Sequence, residues 1–468
     1  MNSPRVKTRF CPSPTGLLHL GSARTVLFNW LYAKNQDGSL LLRIEDTDRE
    51  RSEEQYNHAI FEDLRWLGLE WDEGPEVGGK AGPYYQSERQ AIYDQEYQKL
   101  ESTHVAYSCF CTEEDLALAR KIQRSQGKPP RYPGTCLKLS EAEREAKLKA
   151  GESFTLRFHV PDEAVIEFHD LVKGVQRFLG KDLGDFIIRR ADGTPPFMYC
   201  NAIDDALMSV THALRGDDHV TNTPRQLLIY KALGLKAPQY GHMGLIVGAD
   251  HTPLSKRNGS RSIQVLREEG FLPIAIVNYL ARLGHSYDNN HLMTLNELVS
   301  EFRLDHLSSS PSTFDHQQLL HWQKEAVMRL EEKAFWVWAG SIDEIPVEKR
   351  SAFFKAIQPN VVFPDEVKHW ADILFKENWT FSDTSRTILH ETHQAYFEEA
   401  LSLLSGESIA YPAILDHLKN KLGLKGKALF QPLRVALTNE LHGPELAPLV
   451  ELLGNDVVKE RLEKARTC

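Results

Sequence analysis

Over its first hundred residues the chain repeats a strand-then-helix rhythm, and this restricts the fold more than any other feature. Val6 to Phe10 reads as a short strand. A helix begins near Leu20 and runs through Val26, Leu27, Trp30 and Leu31, with apolar spacings of three and four. Ser39 to Ile44 is a continuous apolar run of the kind buried parallel strands carry. Ser52 with Gln55, and Ser87 with Gln90, are capping-box signals that open two more helices. A β-α-β-α order predicts a parallel sheet with helices on its faces, a Rossmann-like α/β fold.

From about residue 106 to residue 196 the rhythm breaks. Three cysteines come first, then strand-like segments at Phe154 to Val160, Val165 to Phe168 and Phe186 to Arg189, which read as an α+β insertion. The α/β pattern resumes near Met198 and includes a helix from Thr223 to Leu233. Ser308-Ser309-Ser310-Pro311-Ser312 is the clearest linker candidate. Beyond it the chain is rich in Leu, Glu, Lys and Ala without alternating β-branched runs, so 315–468 reads as all helical. With 468 residues, about three domains are expected.

The formal net charge of -10 argues against a uniformly basic nucleic-acid coat, but two local stretches run the other way. Leu116 to Leu139 lacks acids yet carries Arg120, Lys121, Arg124, Lys128, Arg131 and Lys138. Lys419 to Thr438 also lacks acids and carries Lys419, Lys421, Lys425, Lys427 and Arg434. Each alone reads as a solvated face; together they suit a long polyanion. No run reaches the roughly 18 apolar residues of a membrane helix. Met1 to Phe10 has no apolar signal region, so a soluble, cytoplasmic protein is expected. Six cysteines are sparse usage for this length. The cluster Cys109, Cys111 and Cys136 suggests metal chemistry before a disulfide.

Two loops carry the chemistry. Pro12 to Ser22 joins the first strand to the first helix, where an open α/β sheet binds ligands. Gly16 and Gly21 allow close approach of backbone to ligand, the helix start offers N–H groups to a phosphate, and His19 adds a side-chain donor. Pro253-Leu254-Ser255-Lys256-Arg257-Asn258-Gly259 is a short cationic loop. Taken singly, the first is a structural turn and the second a solvated loop; taken together they can clamp one triphosphate.

His19-Leu20-Gly21-Ser22 and Leu254-Ser255-Lys256-Arg257 resemble the two signatures of class I aminoacyl-tRNA synthetases, His-Ile-Gly-His and Lys-Met-Ser-Lys-Ser. Arg9 to Gly16, Ala23-Arg24-Thr25, Phe28-Asn29-Trp30 and Leu42 to Asp48 narrow the resemblance to bacterial glutamyl-tRNA synthetases. So do Leu214 to His219, Asn222 to Gln226, Lys425-Gly426-Lys427 and Pro432 to Thr438. Essentially the whole chain is covered.

The resemblance implies activation of L-glutamate by ATP with Mg2+ and transfer to tRNA(Glu), with tRNA(Gln) as a second acceptor in some members. It implies His19, Gly21 and Lys256 as catalytic residues, with Asp218, Ser255 and Arg257 also on ATP. It places glutamate against Arg9, Ser13, Glu45, Phe197, Asn201 and Arg215. Arg9 and Arg215 face the side-chain carboxylate, and Glu45 faces the ammonium. Expected domains are 1–105 with 197–250 (catalytic), 106–196 (acceptor stem), 251–314 (stem contact) and 315–468 (helical, anticodon). By family analogy the protein is a monomer.

Three positions depart from the family. Cys11 stands where Ala is usual, Phe197 where Tyr is frequent, and Pro253 where the second signature begins with Lys. The cysteine cluster resembles the zinc site of some members, with Tyr132 as fourth donor. The alternative is three reduced cysteines packed as small hydrophobes. The truncated paralogue lacks the helical body, and glutaminyl-tRNA synthetase ends in β-barrels, so neither matches. A catalytically dead RNA-binding protein is expected to lose His19 or Lys256.

Overall fold

A computed structural model describes residues 5–48, 53–254, 261–376, 380–405 and 411–468. The chain forms two compact units: residues up to Arg267 with Ile276–His316, and Glu268–Ala275 with Gln317–Cys468. Among the described residues no helix is long and apolar enough to cross a membrane.

In the first unit, β1 (Lys7–Phe10) leads into α1 (Leu20–Asn35) and then β2 (Ser39–Leu42), which pairs with β1 in parallel from Lys7–Ser39 to Phe10–Leu42. Leu20, Ala23, Val26, Leu27, Phe28, Trp30 and Leu31 are all buried, so α1 is buried around most of its circumference, as a central helix must be. Next come α2 (Glu54–Trp66) and α3 (Gln90–Ser102). Ser87 does not cap α3. Its backbone N–H and hydroxyl donate to Asp46 at 2.8 and 2.6 Å, and a 3-10 turn, Gln86–Glu88, precedes the helix. A carboxylate distant in sequence has outcompeted the local cap. Ser52 lies outside the described residues.

The insertion comprises β3 (Ala106–Cys109), α4 (Glu113–Ser125), α5 (Glu141–Lys149), β4 (Thr155–Phe158), β5 (Val165–Asp170), β6 (Gly174–Leu179), α6 (Gly180–Leu183) and β7 (Phe186–Arg189). Strands β3, β4 and β7 form an antiparallel sheet, and β5 with β6 a hairpin. The sequence reading missed β6. Helices α4 and α5 open on true capping boxes, Thr112 with Asp115 and Ser140 with Glu143.

The α/β pattern resumes with α7 (Phe197–Leu207), β8 (His212–Gly216), α8 (Thr223–Leu233) and β9 (Gln239–Met243), β8 and β9 pairing in parallel. Thr211 N donates to Lys7 O at 2.8 Å, which sets β8 alongside β1. Then follow β10 (Ile246–Val247), α9 (Ile263–Glu268), α10 (Pro273–Arg282), α11 (Leu295–Glu301) and β11 (Ser312–Thr313). The serine run expected as a linker is instead packed into this unit. Ser312 and Thr313 pair with Ile246 and Val247, and a Cβ on Gly244 would sit 2.1 Å from Ser310 O, so only glycine fits beneath it.

The second unit is helical. After α12 (His316–Met328) come α13 (Glu332–Ala339), α14 (Arg350–Ile357), α15 (Pro364–Phe375), α16 (Asp383–Glu391) and α17 (Gln394–Ser402). Then α18 (Tyr411–Leu422), α19 (Lys427–Thr438), α20 (Leu446–Leu453) and α21 (Asn455–Arg466) complete it. Phe335, Phe353, Trp370, Tyr396, Leu433, Leu449 and Leu462 share one core. Each large apolar side chain buried there contributes about 1.5–3 kcal/mol of transfer free energy.

Candidate active site

A cavity of about 510 Å3 opens at the carboxyl ends of β1 and β8. Its walls come from the loop after β1, the first turn of α1, the start of α7 and residues 253–254. Parallel strands end here with their side chains converging, which is where open α/β sheets hold ligands.

His19 occupies the N-cap position of α1 in an extended conformation (φ -93°, ψ 160°), and its side chain makes no capping hydrogen bond. The first turn of this 16-residue helix borders the cavity at Gly21 and Ser22, and a helix start in that place favours anions. A Cβ added at Gly16 or Gly21 would meet nothing within 4 Å. The fold does not need glycine at either place, so the space is open to a ligand.

Below the floor lies a dense ionic cluster. Arg43 is fully buried; it reaches Asp205 Oδ1 and Asn201 Oδ1 at 2.8 Å each, Asp204 at 3.7 Å and Glu45 at 4.0 Å. Asp204 also accepts from Arg89 Nε at 2.6 Å and from Gln86 and Tyr93 at 2.8 Å. Arg9 Nε donates to Asp205 Oδ2 at 3.2 Å. Burial alone would raise the Asp205 carboxyl, but Arg9 and Arg43 outweigh it and hold it below the ordinary range. In this cluster four buried guanidiniums (Arg9, Arg43, Arg89, Arg215) stand against three carboxylates (Glu45, Asp204, Asp205). A fourth buried carboxylate, Asp170, stands behind Arg215 through His242, and two of the guanidiniums, Arg9 and Arg215, border the cavity.

Arg215 is held by a ring nitrogen, a hydroxyl and an amide oxygen. Its Nε donates to His242 Nε2 at 3.1 Å and its Nη2 to Thr223 Oγ1 and Gln226 Oε1 at 2.8 and 2.7 Å. Among the described residues its buried Nη1 has no hydrogen-bond partner. A buried guanidinium with an idle donor pair is a socket for a carboxylate. Glu45 faces the same cavity; burial pushes its carboxyl up to about 7, with Arg43 pulling the other way. Burial and the nearby Arg215 push His219 down to about 4, so its ring is neutral where it packs on Phe197 at 4.9 Å.

Arg9, Ser13, His19, Gly21, Glu45, Phe197, Asn201, Arg215 and Asp218 all line this one cavity. Ser255, Lys256 and Arg257 lie outside the described residues, although Pro253 and Leu254 just before them reach the wall. Cys11 also lines it, its thiol pushed up to about 12 by burial and therefore protonated. Sequence reasoning missed Arg43, Arg89, Asp204, Asp205 and His219. Adjacent acids at 204 and 205 within a mostly apolar helix were a signal that could have been read.

A second centre lies in the insertion. The sulfurs of Cys109, Cys111 and Cys136 all lie within 4.8 Å of one another. The Tyr132 hydroxyl is 3.3 Å from Cys109 Sγ and 3.6 Å from Cys111 Sγ, and Cys111 and Cys136 Sγ are 3.6 Å apart. Three soft sulfurs and a phenol oxygen converging on one point are a donor set suited to zinc.

Residues 5–321 match the family model for class I tRNA synthetases (E and Q), catalytic domain, and residues 316–466 match an anticodon binding domain. The chain is 55% identical over 462 residues to glutamate–tRNA ligase 1 of Coxiella burnetii, covering 98% of this chain and 99% of that protein. It is 52% identical to glutamate–tRNA ligase 2 of Nitrosococcus oceani, covering 99% and 98%. The solved glutamate tRNA ligase of Elizabethkingia meningosepticum in complex with its amino acid superposes with a TM-score of 0.88 at 28% identity, covering 99% of each chain.

Proposed function

Because the chain belongs to the class I glutamate–tRNA ligases, which join L-glutamate to tRNA using ATP, we propose that glutamyl-adenylate forms in the cavity at the ends of β1 and β8. The carrying observation is the convergence of nine site residues on a cavity with two buried guanidiniums, Arg9 and Arg215, in its wall and an anion-receptive helix start at its mouth.

A glutamate α-carboxylate oxygen attacks the α-phosphorus of ATP, which enters as its magnesium complex, and pyrophosphate leaves. Charge builds on the phosphate oxygens, so positioning and preorganised donors supply most of the catalysis. His19 and the first turn of α1 take that charge, with Gly21 giving the phosphates room and Asp218 beside the nucleotide; Ser255, Lys256 and Arg257 are assigned to the ATP phosphates from the second signature alone. The terminal ribose hydroxyl of the tRNA then attacks the activated carbonyl, and AMP leaves.

Arg215 and Arg9 receive the glutamate side-chain carboxylate, and Ser13, Phe197 and Asn201 close the pocket around it. A glutamine amide would leave the buried guanidinium without its counter-charge, which rejects glutamine without a second, editing site. Glu45 takes the α-ammonium. Its carboxyl is raised to about 7, so below that pH it is neutral and the ammonium loses its partner. The KM for glutamate should therefore rise by about tenfold for each unit as pH falls below 7, and Glu45→Gln should abolish that dependence. A KM flat between pH 8 and pH 6 removes Glu45 from this role.

Cys109, Cys111, Cys136 and Tyr132 would hold a zinc ion, which would serve as a structural cross-link between β3 and the segment around Cys136. Purified protein should carry about one zinc per chain by elemental analysis, and Cys136→Ser should lose it. Metal-free protein of normal stability would speak for plain thiols.

The insertion, with the exposed basic second half of α4 and the acid-free segment that follows it, takes the acceptor stem. The basic α18–α19 segment takes the anticodon, whose single-stranded bases can be splayed out and read, beside a cavity of about 950 Å3 lined by Tyr396, Lys427 and Pro432. We place the enzyme in the cytoplasm, acting as a monomer. Charging of purified tRNA(Glu) and tRNA(Gln) with radiolabelled glutamate tests the whole reading. Charging of tRNA(Glu) alone marks a discriminating enzyme, and charging of both implies a downstream amidation. Charging of neither overturns it.

A further inference from the structure

The socket at Arg215 is built by residues that lie outside the cavity lining. Asp170, at the end of β5, is 1% exposed. Its Oδ1 accepts from the backbone N–H groups of Val172 (2.9 Å), Lys173 (2.8 Å) and His242 (3.1 Å). Its Oδ2 lies 2.5 Å from His242 Nδ1. Leu171 N donates to Tyr240 O at 2.8 Å, so the hairpin of the insertion is anchored on β9 at this point. His242 is itself fully buried and its other ring nitrogen faces Arg215 Nε at 3.1 Å.

These contacts allow one protonation pattern. Arg215 Nε always carries hydrogen, so His242 Nε2 must present a lone pair. The Asp170 carboxylate only accepts, so Nδ1 must carry the hydrogen. A neutral ring agrees with the surroundings: burial lowers the His242 pKa, Arg215 and Arg9 lower it further, and Asp170 opposes them. The stacked Tyr240 ring and the Thr223 hydroxyl, 3.0 Å from Nε2, complete the shell. With Nε and Nη2 of Arg215 tied to His242, Thr223 and Gln226, its Nη1 is the donor left for a ligand.

We propose that Asp170 and His242 are positioning residues for glutamate recognition: Asp170 selects the Nδ1–H tautomer of His242, whose Nε2 lone pair holds Arg215 with Nη1 presented to the substrate carboxylate. This rests on the reading of Arg215 as the cation for the glutamate side chain.

Asp170→Asn is nearly isosteric. Its single oxygen is claimed by three backbone N–H groups, so its amide nitrogen faces Nδ1. The imidazole proton must then move to Nε2, where it opposes Arg215 Nε–H. Steady-state ATP–pyrophosphate exchange should show the glutamate KM raised about ten- to a hundredfold, with the ATP KM and kcat at saturating glutamate nearly unchanged.

A second pair of variants tests the tautomer without touching Asp170. In His242→Gln the side-chain oxygen sits near the Nε2 position and still accepts from Arg215, so the glutamate KM should stay close to the parent value. In His242→Asn the amide answers Asp170 but leaves Arg215 Nε without an acceptor, so the KM should rise. His242→Gln should also rescue Asp170→Asn, because the glutamine oxygen does not depend on residue 170.

The proposal is overturned if His242→Asn and His242→Gln behave alike, or if Asp170→Asn acts on ATP and glutamate equally. It is overturned too if the double variant stays as weak as Asp170→Asn. Arg215→Lys separates the two levels. If it leaves the glutamate KM unchanged, the assignment of Arg215 falls and takes this inference with it. If it raises that KM while Asp170→Asn and His242→Asn do not, only the positioning role falls.

Discussion

Replacing His19 by alanine is expected to slow ATP–pyrophosphate exchange by about 10²–10³-fold, equivalent to roughly 2.7–4 kcal/mol of transition-state stabilisation. The magnitude is that of losing one preorganised donor to the reacting phosphates. It stands at the N-cap of α1, and its side chain does not serve as the cap. It lines the cavity next to Gly21, where an added Cβ would meet only open space. The loss should fall on kcat, with the glutamate KM little changed, because the charge that His19 meets develops on the phosphates during reaction. A His19→Ala protein that exchanges pyrophosphate at the parent rate would remove His19 from catalysis.

The largest stability effect should come from Asp204→Ala. Asp204 is fully buried and accepts from Arg89, Gln86 and Tyr93, with Arg43 at 3.7 Å. Its loss leaves two buried guanidiniums short of a counter-charge and strands an amide and a hydroxyl. Breaking a buried ionic group by removing one partner costs about 3–5 kcal/mol. The urea midpoint should fall accordingly and the folded yield with it. Asp305→Ala, which breaks an exposed pair with Arg303, should leave the midpoint in place. Equal midpoints for the two variants would show that the cluster beneath the cavity contributes no net stability.

The elements read correctly from sequence are those specified by neighbours along the chain. Helix α8 has Pro224 in its first turn and Gly234 just past its end at φ +64°, so both boundaries are written locally. Strand β7 is an apolar run with clear limits. The errors arise where a distant group intervenes. Ser87 had a capping partner in the right place, yet Asp46 took its hydroxyl and its N–H. The serine-rich run had the composition of a linker, yet β10 and the space above Gly244 drew it into the first unit. Hairpin strand β6 went unread because a half-exposed strand lacks a continuous apolar run.

For the site, the division is similar. The two signature loops, their order and the residues around them are properties of the sequence, and they were enough to indicate the chemistry and to nominate Arg9, Glu45 and Arg215. Nothing in the sequence says that Arg43 is fully buried, that Arg215 keeps Nη1 idle, or that Asp170 and His242 stand behind it. Each of those facts depends on contacts between residues far apart in the chain: Arg43 with Asn201 and Asp205, Asp170 with His242. Sequence by itself determined which functional groups the chain carries and how its local segments fold. Tertiary structure alone decided which charges lose water and which remain unpaired, because desolvation and hydrogen-bond geometry belong to the packed whole.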